Sequence, residues 1–326
     1  MNSSGSIFRV SIFGESHGPA IGITVDGCPP GIDFVESDME NDIKRRMPGA
    51  AGTTTRREAD IPEIISGTFN GKTTGAPLTV IFRNRDTKSA DYDRLREIPR
   101  PGHADLTAMQ KYKGFNDYRG GGHFSGRITL PLVAAGVLAK KVISDVVIVS
   151  SILEIGGKTD FQSALDEAAA DGDSVGGIIE VRMKGVRAGL GEPFFNSFES
   201  CISHMVFSVP AVKGIEFGSG FASAAMRGSQ HNDMIISADG KTATNNAGGI
   251  NGGITNGNEI VFRVAVKPTP SIKREQRTVS LSTGETESLV IQGRHDACIA
   301  LRAAVVFEAC AAIAAADLYL INKANN

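Results

Sequence analysis

The feature that most constrains the fold lies near the end of the chain. Residues 297–321 read as one long helix, rich in alanine and apolar on nearly all sides. Such a helix has no polar face to offer water, so it belongs between layers of a core. Arg302, Glu308 and Asp317 interrupt the run, which argues against a membrane span. Around it the elements come in mixed order. Alternation predicts strands over residues 7–13, 21–25, 63–69, 78–83, 146–155, 176–186 and 259–266. Helices are predicted over 130–143, 161–170 and 198–209, and Ser37-Asp38-Met39-Glu40 reads as a capping box opening another that runs to about Met47. No regular β-α-β alternation calls for a parallel sheet, so the class is α+β.

Length and composition narrow the function. A chain of 326 residues accommodates two domains or one large one. A net charge of −2 gives no basic face for nucleic acid. The four cysteines lack C-x-x-C spacing, so neither a disulfide framework nor a zinc site is expected and a reducing compartment fits. The histidines show no metal-ligand spacing, and no metal is expected. The first residues lack a secretory signal, so the expected location is cytoplasmic.

Chemistry concentrates in residues 100–129, which hold two of the six histidines, three arginines and six glycines, three of them consecutive. Glycine permits positive φ and close backbone approach. Arginine offers planar donor forks for carboxylate or phosphate, and histidine exchanges protons near neutral pH. The combination predicts a pocket for an anion with proton transfer inside it. His17, His103, His123 and His295 all sit beside glycine, arginine or aspartate, whereas His204 and His231 do not and are read as structural or surface residues. Arg45-Arg46 and Arg56-Arg57 fit solvated charge as well as ligand contact. Arg100, Arg127 and Arg294 lie in glycine-rich loops, where a dianionic or trianionic ligand accounts for them together. Asp296 precedes the long helix, as either an N-cap or part of an anion site.

Three other motifs are weaker. Gly14-Glu15-Ser16-His17-Gly18 matches a serine-hydrolase elbow, but strand pattern follows where a helix is required. The run 66–73 is one residue short of a phosphate-binding P-loop and reads as a turn. Gly218-Ser219-Gly220 lacks the third glycine of a dinucleotide fingerprint.

Six separated motifs carry a family resemblance. They are Phe13-Gly14-Glu15-Ser16-His17-Gly18, Arg100-Pro101-Gly102-His103-Ala104-Asp105, Tyr118-Arg119-Gly120-Gly121-Gly122, Ala247-Gly248-Gly249-Ile250-Asn251-Gly252-Gly253, Lys267-Pro268-Thr269-Pro270-Ser271 and Gly293-Arg294-His295-Asp296. In this order, over residues 8–316, the chain resembles the chorismate synthase family. The resemblance implies a single domain over 1–326, a β-α-β sandwich whose antiparallel sheets enclose long helices, and usually a homotetramer. It implies 1,4-anti elimination of phosphate from 5-enolpyruvylshikimate 3-phosphate, giving chorismate. Reduced FMN is required without net redox change, with NADPH or a separate flavin reductase as the source of reduction.

Residue by residue, His17 resembles the acid that protonates the departing phosphate. His103 resembles the histidine facing reduced flavin, and Asp296 the aspartate that relays a proton from flavin N5. Ser16, Arg46, Arg57, Arg100, Arg127 and Arg294 match substrate contacts. Flavin contacts fall on His123, Phe124, Ser125, Pro210, Ala211, Gly252, Lys267, Pro268, Thr269, Pro270, Ser271 and Arg294. The chain departs from the family's usual pattern in three places. His123-Phe124-Ser125-Gly126-Arg127 stands where Arg-Ser-Ser-Ala-Arg is common, the loop after Gly49 lacks a further arginine, and residues 144–173 are shorter. A non-catalytic binder of phosphorylated metabolites and a serine hydrolase acting through Ser16 are the alternative readings.

Overall fold

The structure, a computed structural model, describes residues 2–49, 52–53, 59–85, 92–291 and 296–325. One sheet comprises β1 (Ser3–Ser4), β2 (Arg9–Gly14), β3 (Ala20–Asp26), β4 (Glu63–Ser66) and β5 (Leu78–Arg83), in the order β1-β2-β3-β5-β4. A second comprises β6 (Val147–Ile155), β7 (Gly177–Lys184), β8 (Val212–Phe217) and β9 (Ile260–Val266), in the order β8-β9-β7-β6. Every pairing within the two sheets is antiparallel. The rungs Ile12↔Ile23↔Val80 and Val181↔Phe262↔Phe217 show why these runs form strands: β-branched and aromatic side chains meet across the pleat.

The longer helices are α1 (Glu40–Arg46), α2 (Asp105–Tyr112), α3 (Thr129–Val142), α4 (Phe161–Ala170), α5 (Phe198–Phe207) and α6 (Ala300–Asn325). α3 packs on β3 and β5, α6 packs on β6 and β7, and α3 and α6 pack on each other. The layers therefore run sheet, helix, helix, sheet, as the β-α-β expectation required. α6 is long and apolar enough to cross a membrane, yet most of it is buried inside the protein.

The charges on α6 serve as docking points. Glu308, 1% exposed, accepts from Arg45 Nη1 (2.8 Å), Lys140 Nζ (3.1 Å) and Ser150 Oγ (2.6 Å). Burial pushes its carboxyl up, but these donors more than offset burial and hold it below the usual carboxylate range. α1, α3 and β6 are thereby tied to α6. Asp317 accepts the backbone N–H groups of Ser6, Ile7 and Phe8 at 2.8, 2.7 and 2.8 Å, anchoring the entry to β2.

Most predicted elements agree with the structure to within a few residues. The capping box differs. Glu36–Met39 forms a 3₁₀ turn ahead of α1, and Asp38 Oδ2 accepts from Val35 N at 2.8 Å, so Asp38 is the capping side chain. The run predicted over 63–69 breaks at Gly67 (φ +86°), with a register shift between Ile64 and Ser66. The P-loop-like run is a hairpin of Thr68–Phe69 and Lys72–Thr73, turning at Asn70-Gly71 as the turn reading expected. β8 was not anticipated.

α3 and α6 approach closely at Gly136, where a Cβ would lie 2.3 Å from Ala309 Cβ and 2.5 Å from its Cα. Glycine to alanine inside a helix ordinarily gains about 1 kcal/mol. Here the neighbour is backbone, so overpacking of about 1–3 kcal/mol outweighs that gain. Gly136→Ala is expected to lower the urea midpoint; a raised midpoint would contradict the close crossing.

Candidate active site

The glycine triplet organises the site. Gly120, Gly121 and Gly122 take φ values of +59°, +82° and +53°, a left-handed run that side chains would strain. A Cβ on Gly120 would lie 2.1 Å from His17 Nδ1, and one on Gly121 would lie 3.4 Å from His103 Nε2. The bare backbone therefore threads between the two imidazoles. It is tied to the turn between β2 and β3 twice: Ser16 N donates to Gly122 O (3.0 Å), and His123 Nδ1 donates to Gly14 O (2.7 Å). His17 also meets the edge of the Tyr92 ring, with centroids 5.1 Å apart.

Behind His103 stands Asp105, with Oδ1 2.6 Å from His103 Nδ1. Arg100 grips the same carboxylate with Nε (2.7 Å) and Nη2 (2.8 Å), and its Nη1 donates to Ser271 Oγ (3.0 Å). Arg100 Nη2 also lies 3.1 Å from His103 Nδ1, but both atoms are donors once Nδ1 serves the carboxylate, so that approach is not a hydrogen bond. Burial pushes the Asp105 carboxyl up; donors from Arg100 and His103 overcome this and hold it far below the usual range.

Other residues lining the site are cationic. Arg46, 4% exposed, donates from Nε to Thr129 Oγ1 (3.0 Å) and from Nη2 to Gly126 O (2.7 Å). Arg127 donates to Asn84 Oδ1 (2.6 Å) and Asp60 Oδ1 (2.7 Å), while its Nη2 has no hydrogen-bond partner among the described residues. Asp60 is buried at φ +45° and also lies 3.8 Å from Arg46. Arg302 donates to Asp296 Oδ2 and to Arg46 O, each at 3.0 Å. Burial and then the charge of Arg302, with Arg127 adding to them against Asp60, push the Arg46 guanidinium down to about 9. An anion placed here would relieve that crowding of like charge.

One cavity of about 1250 Å³ gathers these groups. Of the residues singled out from the sequence, His17, His103, Asp296, Arg46, Arg100, Arg127, His123, Phe124, Ser125, Pro210, Ala211, Lys267, Thr269, Pro270 and Ser271 line it. Ser16 is 1% exposed and lies outside the lining, next to His17 in the turn. Pro268 does not line the cavity, and Gly252 sits exposed at the tip of the hairpin formed by Ile250–Asn251 and Ile254–Thr255. Arg57 and Arg294 lie outside the described residues, as does His295.

Sequence reasoning missed Asp60, Tyr92, Thr129 and Arg302, and it set aside His204, all of which line the cavity. Arg302 had a signal, a charge inside an otherwise apolar helix. Asp60 had none, because its role depends on arginines brought from distant segments. Two features bear on a planar phosphorylated cofactor: Thr269 Oγ1 is buried without a hydrogen-bond partner among the described residues, and Lys267 Nζ reaches Gly102 O at 2.6 Å, bridging two loops of the wall.

Buried guanidinium groups and imidazoles lining one cavity suit a small, multiply charged anion and proton transfer. Residues 8–320 match the family model described as chorismate synthase. The chain is 58% identical to the chorismate synthase of Chitinophaga pinensis over 327 residues, covering 100% of this chain and 98% of that protein. It is 45% identical to the Methanosarcina mazei chorismate synthase, covering 97% and 95%. A solved structure described as the crystal structure of chorismate synthase superposes with a TM-score of 0.76 at 28% identity, covering 98% of this chain and 93% of that one. The chain belongs to the chorismate synthase family, a family of enzymes.

Gly120→Ala tests the threading of the triplet. With a Cβ 2.1 Å from His17 Nδ1, the ring must move. The left-handed strain costs about 1–2 kcal/mol, whereas misplacing His17 by about 1 Å costs roughly 100-fold in rate if the ring takes the proton-transfer role the sequence resemblance implies. The variant is expected to stay folded by circular dichroism and to lose at least that much turnover; near-normal turnover would refute the close approach.

Proposed function

We propose that the protein catalyses the 1,4-anti elimination of phosphate from 5-enolpyruvylshikimate 3-phosphate to give chorismate, as a carbon–oxygen lyase of the shikimate pathway of aromatic amino-acid biosynthesis. The observation that carries this reading is the pair of imidazoles on either side of the glycine triplet, in one cavity with buried guanidinium groups. The substrate bears two carboxylates and a phosphate. Arg46 and Arg127, with Arg57 and Arg294 from the sequence, suit that charge through forked hydrogen bonds. His17 protonates the departing phosphate, with Ser16 beside it. His103 holds a proton at the cofactor side of the cavity. Asp296, gripped by Arg302, moves one there.

The cavity fits reduced FMN as well as substrate. Lys267, Thr269, Pro270, Ser271, Pro210, Ala211 and the 123–125 segment would hold the cofactor, with the buried Thr269 hydroxyl free to bond it. When bound, reduced FMN supplies electron density that eases phosphate loss from a ring whose C–H is not acidic. Pro268 and Gly252 remain proposed contacts by resemblance. Phe124, where the family commonly has serine, offers the cofactor an apolar face in place of a hydroxyl. We place the enzyme in the cytoplasm as one domain over 1–326, with NADPH or a separate flavin reductase supplying reduction. We also propose a homotetramer, which would cover Phe194, Phe195 and Phe221, exposed at 87%, 93% and 84%.

The test is anaerobic phosphate release with photoreduced FMN. Release is expected with reduced flavin and not with oxidised flavin; no release under either condition would reduce the protein to a passive binder. His17→Ala and His103→Ala are each expected to slow turnover by roughly 100- to 10,000-fold with substrate affinity little changed. Near-normal turnover in both would remove these roles. Arg127→Ala should instead weaken substrate binding by roughly 10- to 100-fold, the loss of a charge-assisted contact of about 1.5–3 kcal/mol.

A further inference from the structure

Asp105 is the first residue of α2, where a carboxylate ordinarily serves free helix amides. It does not do so here. The N-cap position is Ala104, without a side-chain cap, and both Asp105 oxygens turn back toward the preceding loop. They take His103 Nδ1 at 2.6 Å, Arg100 Nε at 2.7 Å, Arg100 Nη2 at 2.8 Å and Arg100 N at 3.1 Å. Asp105 does not line the large cavity, whereas His103 does. The carboxylate therefore reaches the cavity through its partners, the His103 imidazole and the Arg100 guanidinium, both of which line it.

An ionised carboxylate only accepts hydrogen bonds, so the short contact requires a proton on Nδ1. In the neutral ring the lone pair is then on Nε2, which lies beside Gly121, on the ring of a residue that lines the cavity. We infer that Asp105 is the positioning residue for His103, holding the ring as the Nδ1-protonated tautomer so that Nε2 alone exchanges protons with what the cavity binds. Arg100 and Ser271 complete the assembly. The two-pronged grip on Asp105 prevents the carboxylate from rotating, and Ser271 keeps the third guanidinium nitrogen in place. Arg100, expected from resemblance to contact substrate, acts chiefly through Asp105 in this arrangement. The same logic operates where a buried carboxylate fixes a catalytic imidazole in hydrolases, and removing its charge there lowers turnover about 10,000-fold through the wrong tautomer.

The kinetic consequence rests on the proposed participation of His103 in the reaction; the tautomer does not. The experiment is long-range ¹H–¹⁵N correlation of the histidine rings in the full-length protein, free of substrate and flavin, with His103 assigned by comparison with His103→Gln. The wild-type ring is expected to carry its proton on Nδ1, and Asp105→Asn is expected to lose that single tautomer. In turnover, Asp105→Asn should fall by roughly 100- to 10,000-fold in kcat with KM little changed, and Asp105→Glu should recover part of it. A bare Nδ1 in the wild-type ring overturns the proposal whether or not any variant folds. An Asp105→Asn ring unchanged from wild type overturns it equally. Because the spectra need no reaction, a wrong choice of substrate leaves them intact, and an error in that choice shows only in the kinetic arm.

Discussion

A helix buried on all sides can carry ionised side chains only where partners meet them, and that constraint orders this molecule. α6 bears Arg302, Glu308 and Asp317, and each points to a different neighbour. Glu308 collects Arg45, Lys140 and Ser150, so the first helix, the central helix and a strand of the second sheet converge on one carboxylate. Asp317 fixes the start of the first sheet through three amides. Arg302 reaches the cavity and holds both Asp296 and the end of α1. Breaking such pairs on one side leaves an uncompensated charge, at a cost of about 3–5 kcal/mol when it is buried. The apolar surface of α6 supplies adhesion, and its charges supply register.

The site inherits this rigidity. Arg46 sits at the end of α1, which Glu308 anchors through Arg45, and its carbonyl is held again by Arg302. Asp60 is shared between Arg127 and Arg46, so guanidinium charge exceeds carboxylate charge around it. In a buried setting that imbalance is far costlier than in water. It is the physical reason to expect a polyanion there. The histidines are arranged differently: their rings are set by backbone and by a carboxylate, and the glycine triplet provides the room.

The elements were largely legible because they rest on local periodicity. The strand over Ile260–Val266 and the helix over Phe161–Ala170 follow from spacing alone. β8 was missed because Val212–Phe217 is short and contains Gly214, so neither its length nor its alternation separates it from a loop. The capping box was misread for a related reason. Ser37 and Asp38 both suit the role, and the 3₁₀ turn that chooses between them is visible only in the backbone. Within the site, the histidine and glycine motifs were readable as chemistry, whereas Asp60 and the grip of Arg100 on Asp105 were not.

By itself the sequence determined the presence of a buried helix, an α+β class, and a set of arginines, histidines and glycines suited to a polyanion and to proton transfer. Residue type and short-range spacing carry that information. Only the tertiary structure decided which of those groups share one cavity, and which guanidinium is committed to a neighbouring carboxylate while another keeps a nitrogen free. Those outcomes depend on distances between residues far apart in the chain, such as Arg100 and Ser271 or Arg46 and Arg302. They are set by how the two sheets close on the helices, which no local pattern encodes.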